Sequence, residues 1–135
     1  MATFKKFEEI EAWKKSRELT RKVYGTSNQS PFARDFGLRD QIRSAALSIM
    51  SNIAEGHDRS GTAEFIQFLA IAKGSAAEIQ SQLFVALDQE HIDQQAFEQL
   101  KALANETGRM IGGLIAYLRK TQYRGTKYKK SFEQT

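Results

Sequence analysis

The chain has 135 residues and a formal net charge of +4, with 20 lysines and arginines against 16 aspartates and glutamates. It contains no cysteine, which excludes disulfides, thiol nucleophiles and sulfur-ligated zinc or iron–sulfur centres. The length suits one domain, and no leader-like segment or apolar run of about 20 residues is present, so we expect a soluble, cytoplasmic protein without a membrane partner.

Helix-favouring residues dominate and the only proline is Pro31, so the composition predicts an all-α fold. No strand-length stretch alternates β-branched with polar residues, and no sheet is expected. Helix one is predicted at about 7–26, before the turn-rich segment around Pro31. Its inner side is predicted to carry Phe7, Ile10, Trp13, Arg17, Leu19 or Thr20, and Tyr24.

Helix two is predicted at about 35–56, because apolar residues recur there in steps of four and three. The stripe consists of Leu38, Ile42, Ala45, Ile49 and Ile53. At the end of this helix, we expect Gly56 to adopt the left-handed conformation that terminates helices.

Helix three is predicted at about 62–87, with Thr62 as its N-cap, and helix four at about 93–122. The stripe of helix three is Phe65, Phe68 or Leu69, Ala72, Ala76, Ile79, Leu83 and Ala86. That of helix four is Phe97, Leu100, Ala104, Thr107, Ile111, Leu114 and Leu118. Four helices with short joints predict an antiparallel up-down-up-down four-helix bundle over residues 1–118. Residues 119–135 then hold the end of helix four and a basic tail.

Two patterns bear on self-association. Helix four has a second line of apolar residues, spaced seven residues apart: Ala96, Leu103, Met110 and Tyr117. Small residues also cluster on helices three and four: Gly74, Ala76, Ala77, Gly108, Gly112 and Gly113. Because helix-interior glycine costs about 1 kcal/mol against alanine, such clusters reflect a packing need. That need is either tight packing inside one bundle or a second interface between copies.

The known catalytic templates are absent. The two histidines have no glutamate three residues before them, which excludes the di-iron bundle pattern, and no phosphate-binding glycine motif occurs. Glu55, His57, Asp58 and Arg59 form one polar cluster, which suits either acid–base chemistry or a weak metal site. The same residues equally serve as polar partners for helix ends at a solvent-facing joint. We favour the second interpretation and expect no catalytic residue, metal, cofactor or enzymatic activity.

Both ends of the chain are basic and its middle is acidic. Residues 119–130 contain six basic residues and no acid, interleaved with aromatic rings, whereas residues 62–118 contain three basic and seven acidic residues. Cations contact phosphates and aromatic rings stack on unpaired bases, so the tail has a composition suited to nucleic acid. The alternative is a frayed tail that serves solubility. Residues 1–24 add seven basic residues, which favours the nucleic-acid interpretation.

Two sequence blocks carry a family resemblance. Residues 41–56 read Q-I-R-S-A-A-L-S-I-M-S-N-I-A-E-G, and residues 64–79 read E-F-I-Q-F-L-A-I-A-K-G-S-A-A-E-I. The chain resembles the bacterial four-helix-bundle proteins encoded in intervening sequences of 23S ribosomal RNA genes, and also the accessory proteins of diversity-generating retroelements. The motif positions are Gln41, Arg43, Ser48, Asn52, Glu55, Gly56, Glu64, Gly74, Ser75 and Glu78.

The resemblance implies a homo-oligomer, most simply a pentamer, and a partner that is RNA or DNA, or a nucleic-acid enzyme such as a reverse transcriptase. Candidate nucleic-acid contacts are Lys5, Lys6, Lys14, Lys15, Arg17, Arg21, Lys22, Arg39, Arg43, Arg59, Arg119, Lys120, Arg124, Lys127, Lys129 and Lys130. Arg43 has an inter-helix salt bridge as its alternative role. For the whole protein, the alternative is a structural or protein-binding scaffold with no nucleic-acid function.

Overall fold

The computed structural model describes residues 4–59 and 61–133, with side chains described as far as residue 121. Four α-helices account for most of this range: α1 (Glu11–Ser27), α2 (Phe36–Asp58), α3 (Thr62–Asp88) and α4 (Gln94–Glu133). Two 3-10 helices, Phe7–Glu9 and Phe32–Arg34, precede α1 and α2. The described ranges contain no strand, so the all-α prediction is confirmed.

The four helices pack as a helical bundle around one core. Helix α1 contacts α2 and α4, and α3 packs between α2 and α4. Apolar residues of all four helices meet in this core, among them Leu19, Ile49, Leu83 and Ile111, each of which is fully buried. Burial of such side chains supplies most of the favourable free energy of folding.

The first predicted helix differs from the observed one. Residues 7–9 form a separate 3-10 helix, and α1 begins only at Glu11 because Ile10 has extended backbone angles. The buried side of α1 consists of Ala12, Ser16, Leu19, Val23 and Ser27. The prediction that Arg17 and Tyr24 face inward was therefore wrong, since both are exposed.

Serine residues occupy those inner positions because they satisfy their hydroxyl groups locally. Ser16 Oγ donates a hydrogen bond of 2.7 Å to the carbonyl of Trp13, and Ser27 Oγ donates one of 3.4 Å to that of Tyr24. A buried hydroxyl without such a partner would be costly. The side chains of Trp13 and Tyr24 then lie at the margins of the helix interface.

The predicted stripes of α2 and α3 are largely confirmed, and the residues at the N-termini of the two helices show how each helix begins. Asp35 caps α2, because its Oδ1 accepts a hydrogen bond of 3.2 Å from the backbone N–H of Leu38. Thr62 was predicted as the cap of α3 but is its first helical residue, and Gly61 stands at the N-cap without a side-chain bond.

Gly56 does not terminate α2 as predicted. It lies inside the helix, is buried, and no glycine of the described range has a positive φ. A Cβ atom at this position would stand 2.7 Å from Cβ of Phe68 and 2.9 Å from Cδ1 of Phe65. Gly56 therefore lets the end of α2 approach the start of α3.

The joint between α3 and α4 lies where the sequence predicts it. Glu90 takes a positive φ of 59°, and the backbone N–H of His91 donates to the carbonyl of Ala86 at 2.8 Å, which closes the end of α3. Asp93 then accepts a hydrogen bond of 2.8 Å from the backbone N–H of Ala96. Helix α4 continues to Glu133, beyond the predicted end near residue 122.

Small residues act differently along α3 and α4. Gly108 is buried, and a Cβ there would lie 3.6 Å from Cβ of Ala76, so this glycine reflects close packing within one chain. Gly74 and Gly113 are exposed, and a Cβ at either would meet nothing within 4 Å. In the second apolar line of α4, Leu103 is buried, whereas Tyr117 remains 49% exposed.

Candidate nucleic-acid interface

The outward side of α1, with one residue of the 3-10 helix before it, carries a cluster that we call the α1 face, formed by Glu8, Trp13, Lys14, Arg17, Glu18 and Arg21. These six residues line an open cavity of about 340 Å³. The guanidinium carbon of Arg17 lies 5.9 Å from the centroid of the Trp13 ring, which is a cation–π distance. Residues predicted from the basic N-terminal region are thus brought together around an aromatic ring, but two carboxylates accompany them.

Two lysines of α1 are engaged in ion pairs. Lys14 Nζ lies 3.2 Å from Glu11 Oε1, one helical turn away. Lys15 Nζ lies 3.3 Å from Glu18 Oε2 and 3.5 Å from Glu106 Oε1 on α4. The hydrogen bond that Lys15 donates to Glu18, together with the negative charges of Glu106 and Glu18, raises the pKa of Lys15. Lys15 therefore joins α1 to α4, whereas Lys5, Lys6 and Lys22 are exposed.

The three predicted arginines of α2 and its end make contacts within the bundle. Arg39 donates to the carbonyl of Ala33 at 3.1 Å, and its Nε lies 3.0 Å from Asp40 Oδ1. Arg43 Nε donates to Ser27 Oγ at 2.8 Å, and its guanidinium lies 4.6 Å from the centroid of the Tyr24 ring. Arg43 thus links α2 to α1 through a hydrogen bond to a hydroxyl group. The alternative role considered for it was an inter-helix salt bridge.

Arg59, the third of these arginines, pairs with Glu55 Oε1 at 3.1 Å and lies 5.3 Å from the centroid of the Phe68 ring. Like Arg39 and Arg43, it has protein partners for its guanidinium group. None of these three arginines lines the cavity at the α1 face.

A second basic surface lies between the outer sides of α3 and α4, and we call it the α3–α4 groove. Its cations are Lys73, Arg109 and Arg119, all exposed. Two adjoining open cavities of about 430 and 400 Å³ share Lys73, Ala77 and Gly112. Neither cavity is lined by a carboxylate, and no described carboxylate pairs with these three cations within 4.0 Å.

Sequence reasoning missed Lys73 and Arg109. Each is an isolated basic residue within the acidic middle of the chain, and the two are 36 positions apart. The two residues belong to one surface only because α3 packs against α4. Lys73 Nζ lies 3.4 Å from the point that a Cβ atom would occupy at Gly112. The one available signal for their proximity was the angular position of each residue on its helix, relative to the apolar stripe.

Of the predicted C-terminal contacts, only those before residue 122 have side chains that the structure describes. Arg119 and Lys120 are exposed on α4, and Arg119 belongs to the α3–α4 groove. The side chains of Arg124, Lys127, Lys129 and Lys130 lie outside the described residues.

Three of the motif residues that carry the family resemblance, Ser48, Asn52 and Ser75, are joined by hydrogen bonds where α2 meets α3. Ser75 Oγ donates to Ser48 Oγ at 3.0 Å, and Asn52 Nδ2 donates to the carbonyl of Ser48 at 2.8 Å. Glu78 Oε1 accepts a hydrogen bond of 3.2 Å from Gln82. Gln41, Glu55, Glu64, Gly74 and Glu78 are exposed, whereas Gly56 and Ser75 are buried.

The polar cluster at the joint between α2 and α3 does not converge on one point. His57 Nε2 lies 3.0 Å from the carbonyl oxygen of Phe4, and its ring contacts Phe65 edge-on. Glu55 and Arg59 pair with each other instead. Within residues 4–59 and 61–121, no group of three or more His, Asp or Glu side chains is placed to hold a metal ion.

The second histidine makes a contact that the sequence did not predict. His91 Nε2 lies 2.9 Å from Asp35 Oδ2, and the ring of His91 stacks on Phe32 with centroids 5.3 Å apart. The hydrogen bond from His91, followed by that from the backbone of Leu38, lowers the pKa of Asp35. This pair fastens the α3–α4 joint to the start of α2.

None of the described helices is long and apolar enough to cross a bilayer.

Comparison with known proteins identifies relatives of the whole bundle. The family model described as 23S rRNA-intervening sequence protein matches residues 8–113. A crystal structure of a protein with unknown function from the S23 ribosomal protein family, from Bacteroides thetaiotaomicron VPI-5482, is similar at 24% sequence identity with a TM-score of 0.71. The match covers 77% of this chain and 97% of that one. No curated protein matches the chain.

Proposed function

Given that the chain belongs to the 23S rRNA-intervening sequence protein family, we propose that it is a non-enzymatic protein that binds RNA or DNA through basic surfaces. The observation that carries this proposal is the α3–α4 groove, in which three exposed cations line adjoining cavities without a carboxylate. Lysine and arginine bind phosphates by charge and hydrogen bonding, and they release counterions when they do so.

The length of the groove suits a phosphate backbone. Arg109 and Arg119 are ten residues apart on α4, which at 1.5 Å per residue corresponds to about 15 Å. One strand of B-form nucleic acid advances 3.4 Å per nucleotide, so the two arginines span roughly four phosphates. Lys73 approaches from α3 near Gly112, between the two arginines along the chain of α4. Small side chains at Gly74, Ala77 and Gly112 leave the floor of the groove open to a close approach.

The wider proposal concerns assembly and context. Neighbouring helices are taken to run antiparallel, because Asp35 before α2 contacts His91 after α3, while Gly56 late in α2 contacts Phe65 early in α3. Copies of this bacterial, cytoplasmic protein are taken to associate as a homo-oligomer, most simply a pentamer. In that form it serves as an accessory to a nucleic-acid enzyme such as a reverse transcriptase.

The second candidate function is a structural or protein-binding oligomeric scaffold. It is favoured by large apolar side chains that remain exposed on α3 and α4, namely Ile71 at 54%, Val85 at 45% and Tyr117 at 49%. Exposed apolar surface of this kind marks protein–protein contacts when it is contiguous. A scaffold has no requirement for a carboxylate-free basic groove, and this distinguishes the two candidates.

The test is a fluorescence-anisotropy titration of a structured RNA and a duplex DNA at about 50 and 200 mM salt. We expect binding that weakens steeply with salt, and Arg109→Gln to weaken it and to lower the salt slope by about 1. Arg34→Gln is the matched control, because Arg34 is also exposed but lies in the 3-10 helix before α2. Absence of binding at the lower salt would leave the scaffold as the better proposal.

A further inference from the structure

Trp13 is the only tryptophan of the chain, and its ring is half-buried at the surface of α1. The ring packs against the core and meets Phe7 edge-on, with centroids 5.1 Å apart and planes at 70°. The guanidinium of Arg17 lies near it at 5.9 Å from the centroid. The indole is thus held in position by apolar neighbours, while an exposed arginine lies over it on the solvent side.

The lining of the cavity at the α1 face is of mixed charge, which a phosphate alone would not require. Lys14, Arg17 and Arg21 supply positive charge, and Glu8 and Glu18 supply carboxylates. Glu18 is engaged by Lys15, whereas Glu8 makes no ion pair with any described side chain. A carboxylate accepts hydrogen bonds from the exocyclic amino groups of bases, and an aromatic ring stacks on a base.

We propose that Trp13 and Arg17 form a stacking site for one unpaired nucleobase, with Arg21 and Lys14 reaching the phosphates on either side of it. This inference rests on the proposed function and adds that the ligand presents an unstacked base. The planar guanidinium of Arg17 is displaced from the indole by the base and stacks on the outer face of that base. A base within a duplex has both faces covered by its neighbours and does not enter.

The decisive experiment uses the full chain and the intrinsic fluorescence of Trp13. The probes are a short single-stranded RNA, an oligomer of equal length with the same sugar–phosphate backbone but no bases, and a fully paired duplex. We expect the single strand to quench Trp13 emission and to bind about tenfold or more tightly than the abasic oligomer. The duplex is expected to bind without quenching Trp13.

Two variants separate stacking from charge. Arg17→Lys keeps the positive charge but lacks the planar guanidinium, so it is expected to weaken binding of the single strand several-fold and to leave binding of the abasic oligomer unchanged. Trp13→Phe keeps an aromatic ring in the core and is expected to retain part of the preference for bases. Circular dichroism of both variants checks that the helical content is preserved.

This experiment distinguishes failure of the stacking site from failure of the proposed nucleic-acid binding. Equal affinity for the single strand and the abasic oligomer, or equal quenching by the duplex, would overturn the stacking site and leave nucleic-acid binding standing. Failure of all three probes to bind would overturn both proposals.

Discussion

Asp35 and His91 connect the start of α2 to the joint between α3 and α4, because Oδ2 of the carboxylate lies 2.9 Å from Nε2 of the imidazole. The other carboxylate oxygen, Oδ1, accepts the backbone N–H of Leu38 at 3.2 Å. One side chain therefore caps a helix and holds a joint that is distant in sequence.

This arrangement predicts a loss of stability in acid. The pKa of Asp35 is lowered in the folded chain by the hydrogen bonds from His91 and Leu38. A carboxyl with a lowered folded pKa contributes stability above its unfolded pKa of about 3.9, and this contribution is lost as the pH falls through the folded value. Urea midpoints measured between pH 6 and pH 2 are expected to fall less steeply for Asp35→Asn than for the unaltered chain.

Asn is the informative replacement in that experiment because it also caps helices well. The capping hydrogen bond to Leu38 is retained while the titrating charge is removed. Identical pH dependence in the two proteins would show that Asp35 contributes nothing to acid sensitivity.

Gly56→Ala is expected to destabilise the bundle. Its Cβ would stand 2.7 Å from Cβ of Phe68, which forces α2 and α3 apart. Overpacking of this kind costs about 1–3 kcal/mol, against a gain of about 1 kcal/mol in helix propensity. Thermal and urea unfolding should therefore show a net loss of stability.

The control for that substitution is Gly74→Ala on α3. Gly74 is exposed, and an added Cβ meets nothing within 4 Å. This change is expected to stabilise the chain by about 0.5–1 kcal/mol through helix propensity alone. If Gly56→Ala also gained stability, close approach to Phe68 would not be the reason for its glycine.

The assembly proposal predicts a particle of five times the chain mass of 15.3 kDa in light scattering or sedimentation. Tyr117→Glu places a charge at the one exposed residue of the second apolar line of α4 and is expected to shift the particle toward single chains. Phe36→Glu is the matched control, since Phe36 is 63% exposed and lies at the start of α2. A single-chain mass for the unaltered protein would refute the assembly.

The basic tail and the α3–α4 groove are expected to act independently on nucleic acid. Replacing Lys127, Lys129 and Lys130 by glutamine removes up to three phosphate contacts and should lower the salt slope by about 3. Combined with Arg109→Gln, the two effects on the logarithm of the affinity should add. A tail variant that binds like the unaltered chain would assign the tail to solubility.

Apolar periodicity predicted the helices well where the buried stripe is made almost entirely of apolar residues, as in α2 and α3. In α1, the buried side includes Ser16 and Ser27, whose hydroxyls bond to carbonyls of their own helix. Hydropathy alone does not reveal that local satisfaction, so the pattern was assigned to Arg17 and Tyr24 instead. The predicted phase of α1 was wrong for this reason.

Candidate functional surfaces were harder to predict because they depend on which helix faces meet. The α1 face comes from one continuous segment, and its cations were identified. Lys73 and Arg109 belong to different helices and form a groove only when α3 and α4 pack together. Gly56 illustrates the same limit, since its role depends on Phe68 in the next helix.

The seams of the bundle have contrasting means of holding their axial alignment. Between α2 and α3, the hydrogen bond from Ser75 to Ser48 has one correct position and resists sliding. Between α3 and α4, Gly108 faces Ala76, and neither side chain can form a hydrogen bond that would fix the alignment there. The end of α3 and the start of α4 also meet through Phe84 and Phe97, whose rings contact edge-on with centroids 4.9 Å apart. This aromatic contact has a preferred geometry and therefore favours one alignment of the two helices.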